Sequence, residues 1–241
     1  ALAHSMNVPS LKVLDGVGFD AAIQTSSRML GVTNPAEIED RFPRYYPLAL
    51  GVISVSPLEM ARAFATFPNQ GREVVPVAIR YIEDRNGKII LEPEKETLAA
   101  QARKGEGAQI ISPQVAYVMT SLLESVVKSG TGQRVGALGR PVAGKTGTTN
   151  DLYDAWFVGY TPRYITGTWV GFDQGGSLGK LETGARAASP IWLGFMQKIL
   201  ADKPVQVFQV PEGVVCAKID AETGRLPIVE SADTLFECCK A

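Results

Sequence analysis

The chain contains 241 residues, of which 45% are hydrophobic and 20% are charged, and its net charge is −1. This composition supports a sizeable core in one large domain or two small ones, and it excludes a largely disordered chain. The balanced charge argues against nucleic acid as a partner, and no apolar run approaches the roughly 20 residues that span a bilayer.

A helix and a hairpin are predicted in the first half of the chain. Ser56-Pro57-Leu58-Glu59 has the capping-box pattern with proline at the first helical position, so a helix begins there and ends near Pro68. Two apolar runs, Val77 to Tyr81 and Lys88 to Leu91, flank Asn86-Gly87. This arrangement predicts two strands joined by a tight turn.

The second half is predicted to hold two helices and a run of strands. Helices begin at Ser112-Pro113 and at Ser189-Pro190. Between them lie three strand-like segments, at residues 142–149, 155–160 and 165–171. Their connections are too short for helices, so the strands should pair antiparallel. The predicted fold class is therefore α+β, an antiparallel sheet covered by helices.

The character of the sequence changes near residue 203. Val214 to Ile219, followed by the turn Glu222-Thr223-Gly224, predicts a small β appendage. We therefore expect a main domain over residues 1–203 and an appendage over residues 204–241.

Potential metal ligands are sparse. Cys216, Cys238 and Cys239 form no C-x-x-C pattern, and His4 is the single histidine. A zinc site needs about four closely arranged ligands, so no metal site is predicted. The adjacent pair Cys238-Cys239 is either incidental or forms an intermolecular disulfide.

The segment Gly144-Lys145-Thr146-Gly147-Thr148-Thr149-Asn150 carries the strongest chemical signal. A cation and hydroxyls, which can bind a carboxylate, surround a glycine on a predicted strand, and glycine in a strand often marks close approach by a ligand. Taken alone, Lys-Thr-Gly is also compatible with an ordinary polar edge strand.

A phosphate-binding loop is the rival interpretation. Residues 139–146 match G-x-x-x-x-G-K-[ST] letter for letter. Such a loop must follow a buried strand and open a helix. Residues 132–138 make a poor strand, and residues 147–151 make a poor first helical turn. Nucleotide binding is therefore disfavoured.

Ser5-Met6-Asn7 precedes Lys145-Thr146-Gly147, and this is the order in which penicillin-binding proteins carry their Ser-x-Asn and Lys-Thr-Gly elements. The chain resembles the transpeptidase domain of bifunctional (class A) penicillin-binding proteins over about residues 1–203. The matching stretches are Leu48–Gly51, Val55–Ala61, Ala63–Phe67, Lys145–Asn150, Asp154–Tyr160, Trp169–Asp173 and Ala187–Trp192.

The nucleophile of this family is the serine of a Ser-x-x-Lys element upstream of Ser-x-Asn. The spelling occurs at Ser125 to Lys128 and at Ser177 to Lys180, both downstream of Ser5. The first lies at the C-terminal end of a predicted helix, where the dipole disfavours a developing oxyanion. We therefore expect both matches to be fortuitous, the nucleophile to precede Ala1, and the fold to be incomplete at the N-terminus.

The resemblance implies a reaction. An activated serine attacks the penultimate D-alanine carbonyl of a peptidoglycan stem peptide, D-alanine leaves, and an amine from a neighbouring stem resolves the acyl-enzyme into a cross-link. β-Lactams acylate the same serine, and no cofactor takes part. The resemblance also implies an upstream glycosyltransferase domain and membrane anchor, and a position on the periplasmic face of the bacterial inner membrane. A non-catalytic β-lactam sensor or scaffold of the same fold is the alternative.

Catalytic roles follow from the resemblance for three residues. Ser5 relays the leaving-group proton, Asn7 bonds a substrate amide, and Lys145 supplies positive potential near the substrate carboxylate. We therefore expect Ser5 Oγ and the Lys145 ammonium to meet within hydrogen-bonding reach. The alternative for Ser5 is a helix cap.

The resemblance also implies substrate-binding roles for the residues that follow Lys145. Thr146 and Thr148 bind the carboxylate, and the backbone N–H of Thr148 is a donor of the oxyanion hole. Gly147 lets the substrate lie against the strand. Trp156 and Phe157 are expected in the sheet core.

Overall fold

The computed structural model describes residues 1–221, 223–227 and 233–241. The helices are α1 (Asn7–Val17), α2 (Phe19–Leu30), α3 (Pro35–Arg41), α4 (Pro57–Ala65), α5 (Pro93–Lys104), α6 (Pro113–Ser129) and α7 (Ser189–Leu200). The strands are β1 (Ile82–Glu83), β2 (Ile89–Leu91), β3 (Ala143–Thr148), β4 (Asp154–Tyr160), β5 (Ile165–Gly171), β6 (Val214–Asp220) and β7 (Thr234–Lys240).

The central sheet has the order β3-β4-β5, and both strand pairs are antiparallel. Lys145 lies opposite Val158, and Gly147 lies opposite Trp156. The three predicted strands and their pairing are therefore confirmed. Because β3 continues through Thr148, no helix begins at Thr146, and the phosphate-loop interpretation is wrong.

Two helices cover the faces of this sheet, as the α+β prediction requires. On one face, Trp192 of α7 packs edge-on against Phe157 with ring centroids 5.2 Å apart. On the other face, Val126 of α6 joins the buried Tyr160. The Tyr160 hydroxyl pairs with the Thr120 hydroxyl of α6 at 3.0 Å, so the polar end of this buried ring is satisfied. Phe157 is thus a core residue, as predicted.

The helix predicted at Ser56 begins where expected. The Ser56 side chain accepts from the Glu59 N–H, and the Glu59 carboxylate accepts from the Ser56 N–H. This helix, α4, packs with α2 around a cluster that includes Ile23 and Phe42. Helices α1, α2, α3 and α5 were not predicted from the sequence.

The predicted strand at Val77 to Tyr81 is wrong. The hairpin exists, but β1 is the two-residue strand Ile82–Glu83, which pairs with β2. Asp84 N–H donates to the Lys88 carbonyl at 2.9 Å and closes the turn around Gly87. Because this turn is tight, the strand pairing begins directly beside it, at Ile82–Glu83. Val77 and its neighbours lie farther from the turn and are exposed.

The predicted β appendage is a hairpin of β6 and β7. Cys216 lies directly opposite Cys238, and the two form a disulfide, whereas Cys239 is an exposed free thiol. The sequence had left the pairing of Cys238 open and had not suggested Cys216 as its partner. Glu222 of the predicted turn lies outside the described residues.

The segment before this hairpin fastens it to the main sheet. Phe208 packs edge-on against Tyr160 with ring centroids 5.6 Å apart, and Gln114 donates to the Glu212 carbonyl at 2.8 Å.

In the part of the chain that is described, the helices are too short or too polar to cross a bilayer.

Candidate active site

Lys145 lies at the centre of the candidate site. Its ammonium donates to Ser5 Oγ at 2.8 Å and to the Thr146 carbonyl at 2.9 Å. The expected contact between Ser5 and Lys145, 140 positions apart in the sequence, is therefore present. Burial lowers the pKa of Lys145, because partial desolvation destabilises the charged ammonium more than the neutral amine.

Ser5 is held in a tight turn rather than in a helix. Its φ of 53° lies in the left-handed region, which is costly for a residue with a side chain. The Ser5 N–H donates to the Leu2 carbonyl, and the Met6 N–H donates to the Ala1 carbonyl. Met6 is the N-cap of α1 and no side chain caps this helix, so the helix-cap alternative for Ser5 is wrong.

Asn7 is the first residue of α1 and is exposed. It lies two positions after Ser5, and within the described residues the hydrogen bonds of the Lys145 ammonium go to Ser5 and Thr146, not to Asn7. Among the described residues its side chain has no hydrogen-bond partner, so its amide is available to an added ligand.

The side chains of β3 point alternately to the two faces of the sheet. Lys145 and Gly147 share a face with their cross-strand partners, while Thr146 and Thr148 lie on the other face. Thr146 Oγ1 lies 2.6 Å from Thr131 Oγ1, and Thr148 Oγ1 accepts from the Gly184 N–H at 3.0 Å. Both threonine hydroxyls therefore have fixed positions.

In the described part of the chain, β3 is the outer strand of the central sheet. On the side away from β4, its backbone N–H and C=O groups have no strand partner. An extended peptide can add to such an edge through main-chain hydrogen bonds. A ligand along this edge would have the Lys145 ammonium on one face of the sheet and the hydroxyls of Thr146 and Thr148 on the other face.

Two glycines permit close packing beside these residues. A Cβ on Gly147 would lie 3.1 Å from Trp156 Cβ. Trp156 is the cross-strand partner of Gly147 and so lies on the face that carries Lys145. It is half-buried, with its ring tilted against that of Trp169 at 6.4 Å between centroids, so the prediction of a core position is wrong for Trp156. A Cβ on Gly184, in the π-helical turn Gly184–Ala188 before α7, would lie 2.2 Å from the Trp156 carbonyl oxygen.

In neither of the two Ser-x-x-Lys matches, at Ser125 and at Ser177, does the serine pair with the lysine. Ser125 donates to the Ser121 carbonyl inside α6, and Lys128 pairs with Glu124 at 3.4 Å. Ser177 lies in the loop after β5, where its hydroxyl accepts from the Gly179 N–H. These contacts agree with the interpretation that both matches are fortuitous.

Two residues at this site, Thr131 and Gly184, were not predicted from the sequence. Thr131 contacts Thr146, and its N–H donates to the Ala3 carbonyl at 3.0 Å, two residues before Ser5. Gly184 covers the strand at Gly147. Gly130 beside Thr131, just after a helix, is a weak local signal for Thr131, and no local pattern indicated Gly184.

The fold is that of a penicillin-binding transpeptidase domain. The sequence model of the penicillin-binding protein transpeptidase domain matches residues 3–180, so the chain belongs to this family. The solved structure of penicillin-binding protein 1A from Haemophilus influenzae superposes with a TM-score of 0.81 at 29% identity, covering 98% of this chain and 39% of that protein.

Two sequence relatives are similar over most of the chain. Penicillin-binding protein 1A of Pseudomonas aeruginosa is 37% identical over 281 aligned positions, covering all of this chain and 34% of that protein. The protein of the same name from Aquifex aeolicus is 37% identical and covers 91% of this chain and 28% of its own length. The chain thus spans about a third of the length of the curated relatives it matches.

Proposed function

We propose that this chain is the larger part of a serine D-Ala-D-Ala transpeptidase domain that cross-links peptidoglycan through an acyl-enzyme and is acylated by β-lactams. The observation that carries the proposal is the contact of Lys145 with Ser5 at β3, whose outer edge has no strand partner among the described residues. The nucleophile comes from a Ser-x-x-Lys element of the longer protein, because the spellings in this chain are misplaced.

The lysine and the serine share the proton chemistry. Lys145 donates to Ser5 Oγ, which leaves the Ser5 hydroxyl hydrogen free to pass to a leaving amine. A lowered pKa of Lys145 favours this exchange, because its proton is held less tightly than that of an exposed lysine. Asn7, exposed at the start of α1, bonds an amide of the stem peptide.

The strand supplies binding and transition-state stabilisation. The Thr146 and Thr148 hydroxyls and the Lys145 charge hold the terminal carboxylate that stem peptides and penicillins share. The Thr148 N–H donates to the oxyanion, and such a donor is worth roughly 3 kcal/mol in the transition state. Penicillin-binding protein A of Mycobacterium tuberculosis, which has the same fold at 20% identity, has been solved as an acyl-enzyme with imipenem.

The disulfide supports a periplasmic location. Cys216 and Cys238 form an intrachain disulfide, and such bonds persist in oxidising compartments, which include the bacterial periplasm. We propose that a membrane anchor and a glycosyltransferase domain lie in the longer protein, and that residues 204–241 form a C-terminal appendage of the main domain at 1–203, on which Phe208 packs.

Labelling with a fluorescent penicillin tests the proposal. This chain alone should form no stable adduct, whereas the longer protein with its Ser-x-x-Lys element should label. In that protein, Lys145→Ala should reduce labelling strongly, because it removes the cation that faces the ligand carboxylate and contacts Ser5. Ser125→Ala is the matched control and should leave labelling unchanged.

Two outcomes would contradict the proposal. A mass-spectrometric adduct on Ser125 or Ser177 of the short chain would show that the nucleophile assignment is wrong. Labelling of the longer protein without any cross-linking of a stem-peptide donor to an amine acceptor would favour a β-lactam sensor over a transpeptidase.

A further inference from the structure

The loop after α6 touches both halves of the candidate site. On one side, the Thr131 N–H donates to the Ala3 carbonyl at 3.0 Å. On the other side, Thr131 Oγ1 lies 2.6 Å from Thr146 Oγ1. One residue therefore connects the turn that carries Ser5 to the strand that carries Thr146.

The close approach of the two segments depends on the residue before Thr131. A Cβ on Gly130 would lie 2.1 Å from the Ala3 carbonyl oxygen and 3.0 Å from Val126 Cα. Both are backbone atoms, so neither can move aside as a flexible side chain would. The backbone of this loop is thus fitted to the turn of Ser5.

Which of Thr131 and Thr146 donates the hydrogen bond between their hydroxyls depends on what else each hydroxyl binds. A hydroxyl donates one hydrogen bond, and an ionised carboxylate only accepts. If the Thr146 hydroxyl donates to a substrate carboxylate, its oxygen must accept the hydrogen bond that it shares with Thr131. Thr131 is then the donor, and the chain runs from Thr131 to Thr146 to the carboxylate. Consecutive hydrogen bonds of this kind strengthen one another.

We propose that Thr131 is a positioning residue for carboxylate recognition: its hydroxyl orients the Thr146 hydroxyl toward the substrate carboxylate, while its N–H fixes the turn of Ser5. This inference rests on the proposed function, in which Thr146 binds that carboxylate. Thr131 itself touches no reacting atom; it acts through Thr146 and through Ala3.

Substitution of Thr131 by valine isolates the hydroxyl. Valine matches the size of threonine and keeps the N–H contact with Ala3, but it cannot donate to Thr146. In the longer protein that carries the Ser-x-x-Lys element, acylation rate constants are measured with a penicillin and with the methyl ester of its carboxylate. Thr131→Ser restores a donor, and Thr234→Val, an exposed change on β7, is the matched control.

The expected result is a loss that depends on the carboxylate. Thr131→Val slows acylation by the free penicillin by about tenfold, the upper end of what one lost hydrogen bond between two hydroxyls costs, and slows the ester by less than about twofold. Thr131→Ser stays within about threefold of the wild type on both compounds, and Thr234→Val matches the wild type.

Equal slowing of both compounds by Thr131→Val would overturn the inference, because a general defect of the fold or of the Ser5 turn would not distinguish them. So would no slowing at all. A wild-type protein that reacts equally fast with penicillin and ester would instead refute carboxylate binding at Thr146. The wild-type comparison thus separates failure of the proposed function from failure of the role of Thr131.

Discussion

Gly184 should be among the most sensitive positions near the site. It begins the π-helical turn before α7, and its missing side chain faces the main chain of two strands. A Cβ there would lie 2.2 Å from the Trp156 carbonyl oxygen and 2.4 Å from the Gly147 carbonyl oxygen. Contacts this short cannot persist, so Gly184→Ala must move the turn away from the sheet.

The cost of that movement has two parts. Overpacking of a closely packed site costs about 1–3 kcal/mol. The shift also breaks the bond in which the Gly184 N–H donates to Thr148 Oγ1 at 3.0 Å, worth about 1 kcal/mol. We therefore expect Gly184→Ala to lower the free energy of unfolding by about 2–4 kcal/mol.

Urea unfolding, followed by tryptophan fluorescence, measures this loss. Gly194→Ala is the matched control, because a Cβ there meets no atom within 4 Å and α7 should gain up to about 1 kcal/mol. If Gly184→Ala unfolds within about 0.5 kcal/mol of the wild type, the close packing of this turn on the site strands is refuted.

Two further predictions concern pH and the disulfide. Because the folded pKa of Lys145 lies below its ordinary value, the unfolded state binds more protons between the two values, and the free energy of unfolding should rise with pH in that window. In the longer protein that carries the Ser-x-x-Lys element, acylation by penicillin should fall as pH rises through the folded pKa of Lys145, and Lys145→Ala should lose both responses. Cys216→Ser should destabilise the hairpin of β6 and β7 by about 3 kcal/mol, measured by amide exchange of its strands, because the bond to Cys238 closes a loop of 22 positions. Cys239→Ser should not, and equal effects of the two changes would contradict the assigned pairing.

The sequence was informative where structure depends on neighbouring residues. The capping box at Ser56 marks the start of α4, because its hydrogen bonds join residues three positions apart. The connections between the three strands in residues 142–171 are too short for a parallel crossover, so the length of these connections predicted the antiparallel pairing of the central sheet. Local turn chemistry also indicated the hairpin at Asn86-Gly87.

The sequence was less informative where one local pattern is compatible with several structures. The apolar run at Val77 to Tyr81 has strand composition, but the turn at Asp84 to Lys88 places the pairing immediately next to itself, at Ile82–Glu83. Three cysteines allow three pairings, and the register of β6 against β7 selects Cys216 with Cys238. Such a register depends on contacts that composition does not encode.

The contacts that assemble the site are long-range, which is why its chemistry and its geometry were not equally predictable. Resemblance identified Lys145 and Ser5 because their side chains have recognisable chemistry. Gly130 and Gly184 have none: each is required by the distance to a remote carbonyl oxygen, of Ala3 in one case and of Trp156 in the other. The two kinds of residue should therefore differ when replaced. Loss of the Lys145 ammonium removes chemistry from an intact fold. An added Cβ at Gly130 instead displaces the backbone against the turn of Ser5, and one at Gly184 displaces the backbone packed on β3 and β4.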